Sequence, residues 1–130
     1  MKTLDALDVA TLANVRGVLA DIDDTITSEG KLTAAAYAAL EQLHDAGLIV
    51  VPITGRPAGW CDHIARMWPV SGIVGENGAL WMRYDAASRR LEKRFVASED
   101  ERVAHRARLA AIGPKILAAI PGTALASDQL

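Results

Sequence analysis

The run LIVVPI, Leu48 to Ile53, constrains this chain more than any other stretch, because it is apolar throughout and shows no alternation. A half-exposed strand alternates apolar and polar residues, whereas an unbroken run is typical of a parallel strand covered on both faces by helices. Both flanks have helical period. Upstream, Thr33 suits an N-cap, Tyr37, Leu40 and Leu43 share one stripe, and Gly47 supplies a stop. Downstream, Pro57 suits a first helical turn, and Trp60, Cys61, Ile64 and Trp68 are expected to point inward before Pro69 ends the helix.

Shorter apolar strands at Gly17 to Ala20 and Gly72 to Gly75 complete a strand-helix alternation with short connections. That order predicts an α/β fold with a Rossmann-like parallel sheet and right-handed crossovers. Sites in such sheets lie beyond the carboxyl ends of the strands. Asp21 to Thr25, Thr54 to Arg56 and Glu76 to Gly78 all fall there and are expected to converge.

After Gly78 the pattern changes. ALWMRY and LEKRFV flank DAASRR and read as two antiparallel strands joined by a turn. SEDE, Ser98 to Glu101, is a capping box opening a helix that carries Val103, Ala107 and Ala110 and is expected to break near Gly113 and Pro114. KILAAI follows, and TALAS has the character of a further strand.

With 130 residues the chain has the length of one domain, enough to bury roughly two thirds of its unfolded surface. A charged fraction of 23% and a net charge of -2 offer no basic stripe for nucleic acid. The single cysteine, Cys61, gives no disulfide framework. Asp5 and Asp8 interrupt the start where a signal peptide needs an apolar core, and no apolar run approaches spanning length, so no membrane is expected and the cytoplasm is the expected location.

The strand VLA runs into Asp21, Asp23 and Asp24 within DIDDT. Two carboxylates about 5 Å apart at an effective dielectric near 20 repel by roughly 3 kcal/mol, so the cluster calls for a cation. A divalent site with oxygen ligands, most simply Mg²⁺, answers that need. A solvated acidic turn is the bland alternative. A calcium EF-hand loop counted from Asp21 is excluded, because its sixth and twelfth places hold Ile26 and Leu32 rather than Gly and Glu. A phospho-accepting signalling domain wants an Asp at the end of the third strand, where GIVGEN places Glu76.

DIDDT, Asp21 to Thr25, resembles the first motif of the haloacid dehalogenase superfamily of phosphohydrolases. VPITGR, Val51 to Arg56, resembles its second motif, and GENGA, Gly75 to Ala79, resembles the loop before the cap in its Cof-like and sugar-phosphate phosphatases. The resemblance covers residues 15 to 80. It implies a core over residues 1–78 and the beginning of an inserted α/β cap over residues 79–130.

The resemblance implies hydrolysis of a small phosphorylated sugar or related metabolite, with Asp21 as nucleophile forming an aspartyl-phosphate and Asp23 as general acid and base. Relatives that dehalogenate lack an acid at the second position. Mg²⁺ would be held by the Asp21 carboxylate and the Asp23 backbone carbonyl, and Thr54 and Gly55 would hold the phosphoryl group. Thr25 would order the loop, and Asp24, where the family often has Gly, would be a bystander. Arg56 and Asn77 are candidates for substrate contact, although Arg56 has Glu76 as a competing partner and Asn77-Gly78 suits a turn. Trp60 and Trp68 fit a buried stripe, and Trp81 stays undecided. His44, His63 and His105 show no ligand spacing. Arg83, Arg89, Arg90, Lys93 and Arg94 give the hairpin a basic tint.

The family's third-motif Lys and fourth-motif acids have no counterpart here, since Lys93 and Lys115 lie in the cap-like region and Asp128 stands alone. The chain is therefore expected to be truncated, with an unpaired strand edge prone to self-association. A non-catalytic metal-binding or association module is the competing class.

Overall fold

The computed structural model describes Thr3 and residues 6–130. Asp5, used above against a signal peptide, lies outside the described residues. After a short helix α1 (Val9–Ala13), the chain runs β1 (Gly17–Asp21), β2 (Thr27–Ser28), β3 (Lys31–Leu32), α2 (Ala34–Asp45), β4 (Ile49–Ile53) and α3 (Ala58–Met67). It continues through β5 (Ile73–Gly75), β6 (Leu80–Asp85), β7 (Arg90–Phe95) and α4 (Glu99–Ala119). Five strands form one sheet in the order β1-β4-β5-β6-β7, and β2 pairs with β3 as a separate small hairpin.

The pairings β1 with β4 and β4 with β5 are parallel, as the strand-helix alternation predicts. Thr33 caps α2 by accepting from the Ala36 amide, and Gly47, at φ +78°, follows its end. Both crossovers step the same way along the sheet, which for right-handed connections puts α2 and α3 on one face. The Tyr37 hydroxyl, donating to the Met67 carbonyl at 3.1 Å, ties the two helices together.

This arrangement corrects one expectation. LIVVPI is not covered on both faces among the described residues. Val50 and Pro52 face the helices and are buried, while Ile49 is exposed and Val51 and Ile53 are half-buried. Register puts Leu19 on the same open face as Val51, and Leu19 is 69% exposed. The core lies under α3, where Ala58, Cys61, Ile64 and Ala65 pack with Ile22, Ile73, Leu80 and Met82. Positions 58, 61 and 64/65 make the buried stripe. Trp60 falls outside it and is 51% exposed, contrary to the inward position expected for it.

The expected hairpin forms, and β6 pairs with β5, so residues 80–95 prolong the sheet begun by residues 17–75. The Asp85 carboxylate sets its turn, accepting from the Ala87 and Ser88 amides and the Ser88 hydroxyl. The capping box at Ser98 and Glu101 is present, with each side chain bonded to the other's backbone amide. The expected break near Pro114 is absent, and α4 is continuous to Ala119. A residue before proline is pushed out of the helical region partly by a clash with its own Cβ, and Gly113 has none. TALAS forms no strand; residues 121–130 are irregular. Among the described residues no helix is long and apolar enough to cross a membrane.

Candidate active site at the carboxyl ends of the strands

Of the three loops singled out by position, the second and third are stitched together by their own backbones and the first is set beside them by β1. Parallel pairing sets Asp21 beside Ile53 at the end of β1. The Thr54 amide donates to the Val74 carbonyl at 2.9 Å, the Asn77 amide to the Thr54 carbonyl at 3.2 Å, and the Glu76 amide to the Arg56 carbonyl at 3.1 Å. These bonds bring the second and third loops into one cluster. A Cβ built on Gly55 would stand 2.9 Å from the Asn77 side-chain oxygen Oδ1, so glycine there permits the close approach of the Asn77 side chain.

The loop leaving β1 turns sharply through Ile22–Ile26, with Asp24 in the left-handed region at φ +57°. Asp tolerates that conformation better than most residues, and glycine carries no Cβ penalty there, a physical reason for glycine at this place in the family pattern. Ile22 is buried in the core and anchors the turn. The hydroxyl that closes it belongs to Thr27, which is 6% exposed and donates to the Ile22 carbonyl at 2.9 Å. Thr25, to which the sequence assigned loop ordering, is exposed. Thr27 lies two residues beyond DIDDT, so the motif carries no signal for it.

Asp21 and Asp23 are both exposed at the strand end. Arg56 reaches Asp23 across the crevice: its Nη2 donates to Oδ1 at 2.5 Å, and its Nε lies 3.2 Å from each carboxylate oxygen. The Arg56 hydrogen bond, with a smaller charge attraction, holds the Asp23 carboxyl below its usual range, and the same pairing raises Arg56. Glu76 does not take this partner. Its Oε1 accepts from the Ala58 amide and the Leu130 amide, each at 3.1 Å, and so caps the start of α3. Thr54 is 2% exposed and its Oγ1 accepts from the Arg56 amide at 3.1 Å, leaving the hydroxyl proton free to be directed elsewhere.

The Arg56 guanidinium also lies over the Trp60 ring, 4.5 Å from its centroid. Trp81 sits opposite Arg94 across β6 and β7, with that guanidinium 5.7 Å from its ring. For a divalent cation, the Asp21 carboxylate and the Asp23 carbonyl are hard oxygens of the kind Mg²⁺ takes alongside water and phosphate. Among the described residues no cluster of three or more His, Cys, Asp or Glu side chains forms a metal cage. The donor set fits an ion that keeps most of its water.

The sequence pattern of the haloacid dehalogenase-like hydrolases matches residues 18–106, which include all three loops. The chain belongs to the haloacid dehalogenase-like hydrolases. The fold of this haloacid dehalogenase-like chain is similar to that of a phosphatase of the haloalkanoate enzyme superfamily from Bacteroides thetaiotaomicron, with a TM-score of 0.55 and 25% identity. The match covers 84% of this chain and 40% of that one. Among curated proteins no sequence matches the chain.

Proposed function

We propose that this haloacid dehalogenase-like chain carries the nucleophile-bearing part of a Mg²⁺-dependent phosphomonoester hydrolase for a small phosphorylated sugar or related metabolite. The observation that carries the reading is the meeting of Asp23 and Arg56, 33 residues apart in sequence, beside Asp21 at the carboxyl edge of the sheet. Family membership supports hydrolase chemistry, and the similar phosphatase supports a phosphoryl substrate.

Asp21 attacks phosphorus, the ester bond breaks, and an aspartyl-phosphate remains for water to hydrolyse. Asp23 gives a proton to the leaving oxygen and later takes one from the attacking water. Thr54 and Gly55 cradle the phosphoryl oxygens with the Thr54 hydroxyl and local amides. The Asp21 carboxylate and the Asp23 carbonyl would hold Mg²⁺, which would supply positive charge against two anionic reactants. Arg56 holds Asp23 ionised in the absence of substrate, and an incoming phosphate competes for that guanidinium and frees the carboxyl to carry a proton.

Phosphate release from a panel of sugar phosphates tests this. The full-length protein in Mg²⁺ should release phosphate, and Asp21→Asn in it should lower the rate at least a hundredfold with the fold intact by circular dichroism. Release at the wild-type rate by Asp21→Asn would end the reading.

A further inference from the structure

The exposed indole of Trp60 belongs to the wall of a cavity of about 170 Å³ between the β2–β3 hairpin and α3. Ile22, Leu32, Arg56, Trp60, His63 and Trp68 line it. Its position relative to the acid follows from Arg56, which binds the Asp23 carboxylate on one side and covers the Trp60 ring on the other. A leaving oxygen protonated by Asp23 must come within about 3 Å of that carboxylate. The carbons attached to that oxygen then begin beside Arg56, at the cavity wall.

The lining decides what fits. Among the described residues none that lines the cavity is a carboxylate, and the Thr27 hydroxyl at its edge is already donated to the Ile22 carbonyl. An open-chain polyol would lose water from several hydroxyls there and find few partners. Once the ester's phosphate draws the Arg56 guanidinium off the Trp60 ring, a flat ring would take its place on the indole, whose face attracts π systems and apolar C–H surfaces alike. An engineered cavity of about 150 Å³ is known to hold benzene, so the space suits one ring. Trp60 and His63 stand three residues apart on α3 and present one continuous wall.

We propose that this cavity is the leaving-group subsite, and that it selects phosphomonoesters of a single-ring alcohol whose apolar or π face stacks on Trp60. The inference rests on the phosphatase reading for the role of Asp23, and adds the class of alcohol released.

Phenol and phenyl phosphate are the probes, with glycerol and glycerol 3-phosphate as open-chain comparators. In ¹⁵N-labelled chain the Trp60 indole signal, identified by its loss in Trp60→Phe, should shift with phenol and phenyl phosphate and stay put with glycerol. Phenyl phosphate should bind at least tenfold tighter than glycerol 3-phosphate. Trp60→Ala should abolish that preference and Trp60→Phe should keep most of it, with the Trp68 and Trp81 signals reporting an intact fold. Equal binding of the two esters, or a preference that survives Trp60→Ala, would overturn the subsite. Failure of the phosphatase reading shows differently: phenol still shifts Trp60, but no ester is hydrolysed.

Discussion

Arg56 holds Asp23 through two of its nitrogens, with the shortest contact at 2.5 Å, although the paired side chains remain 25% and 48% exposed. The expected acid of the site is thus kept deprotonated by a neighbour from the next loop. Because the folded pKa is depressed from 3.8, the pair stabilises the fold above that pH and its contribution is lost as pH falls through the lowered value. Exposure limits its worth to about 1 kcal/mol or less. Arg56→Ala should therefore raise the Asp23 titration midpoint toward the ordinary carboxylate range, read by carboxyl NMR, while costing little stability at neutral pH. An unchanged midpoint would mean that the pair does not persist in solution.

Asp24 sits at φ +57° with nothing in its chemistry that the proposed reaction uses. Asp24→Gly should leave stability unchanged or raise it by up to about 1 kcal/mol, since the left-handed conformation costs an L-residue about that much and glycine loses some of the gain to chain entropy. Asp24→Val should destabilise, because a β-branched residue is strained there. Thermal unfolding of the pair distinguishes this from an electrostatic role, in which Asp24→Gly and Asp24→Val would behave alike.

Gly75 lets β5 lie against α3. A Cβ built on it would collide with the Cys61 sulfur. Gly75→Ala should cost about 1–3 kcal/mol by overpacking, and Cys61→Ala in the same chain should recover part of it. Burial, with a smaller push from the Glu76 charge, raises the Cys61 thiol to about 11. Its stabilising contribution is present below pH 9 and disappears as pH rises through the folded value. Native Cys61 should accordingly react with thiol reagents at pH 8 only as fast as the fold opens.

Local signals were legible in the sequence and distant ones were not. Thr33, the Ser98–Glu101 box and the β6–β7 turn act within a few residues, so pattern alone located them. The hairpin was legible as a hairpin, but its attachment to β5 depends on strands that sequence spacing does not rank. Trp60 is apolar enough to suggest burial, but it neighbours Cys61 and so points away from the stripe at 58, 61 and 64. The Arg56–Asp23 pair joins two loops brought together only by the parallel register of β1 and β4. Pro114 shows the reverse case, a strong local rule relaxed by the glycine before it.

The position of β1 in the sheet also bears on the order of assembly. Among the described residues its one ladder partner is β4, which follows in sequence only after the whole of α2, while β6 and β7 meet across a short turn. Contacts distant in sequence close late, and elements held by one ladder open early. Amide exchange should therefore find β6 protected longest and β1 released first, so that the strand bearing Asp21 is the last to arrive and the first to leave. A small fraction of molecules with β1 undocked would then hold the core with Asp21 out of place.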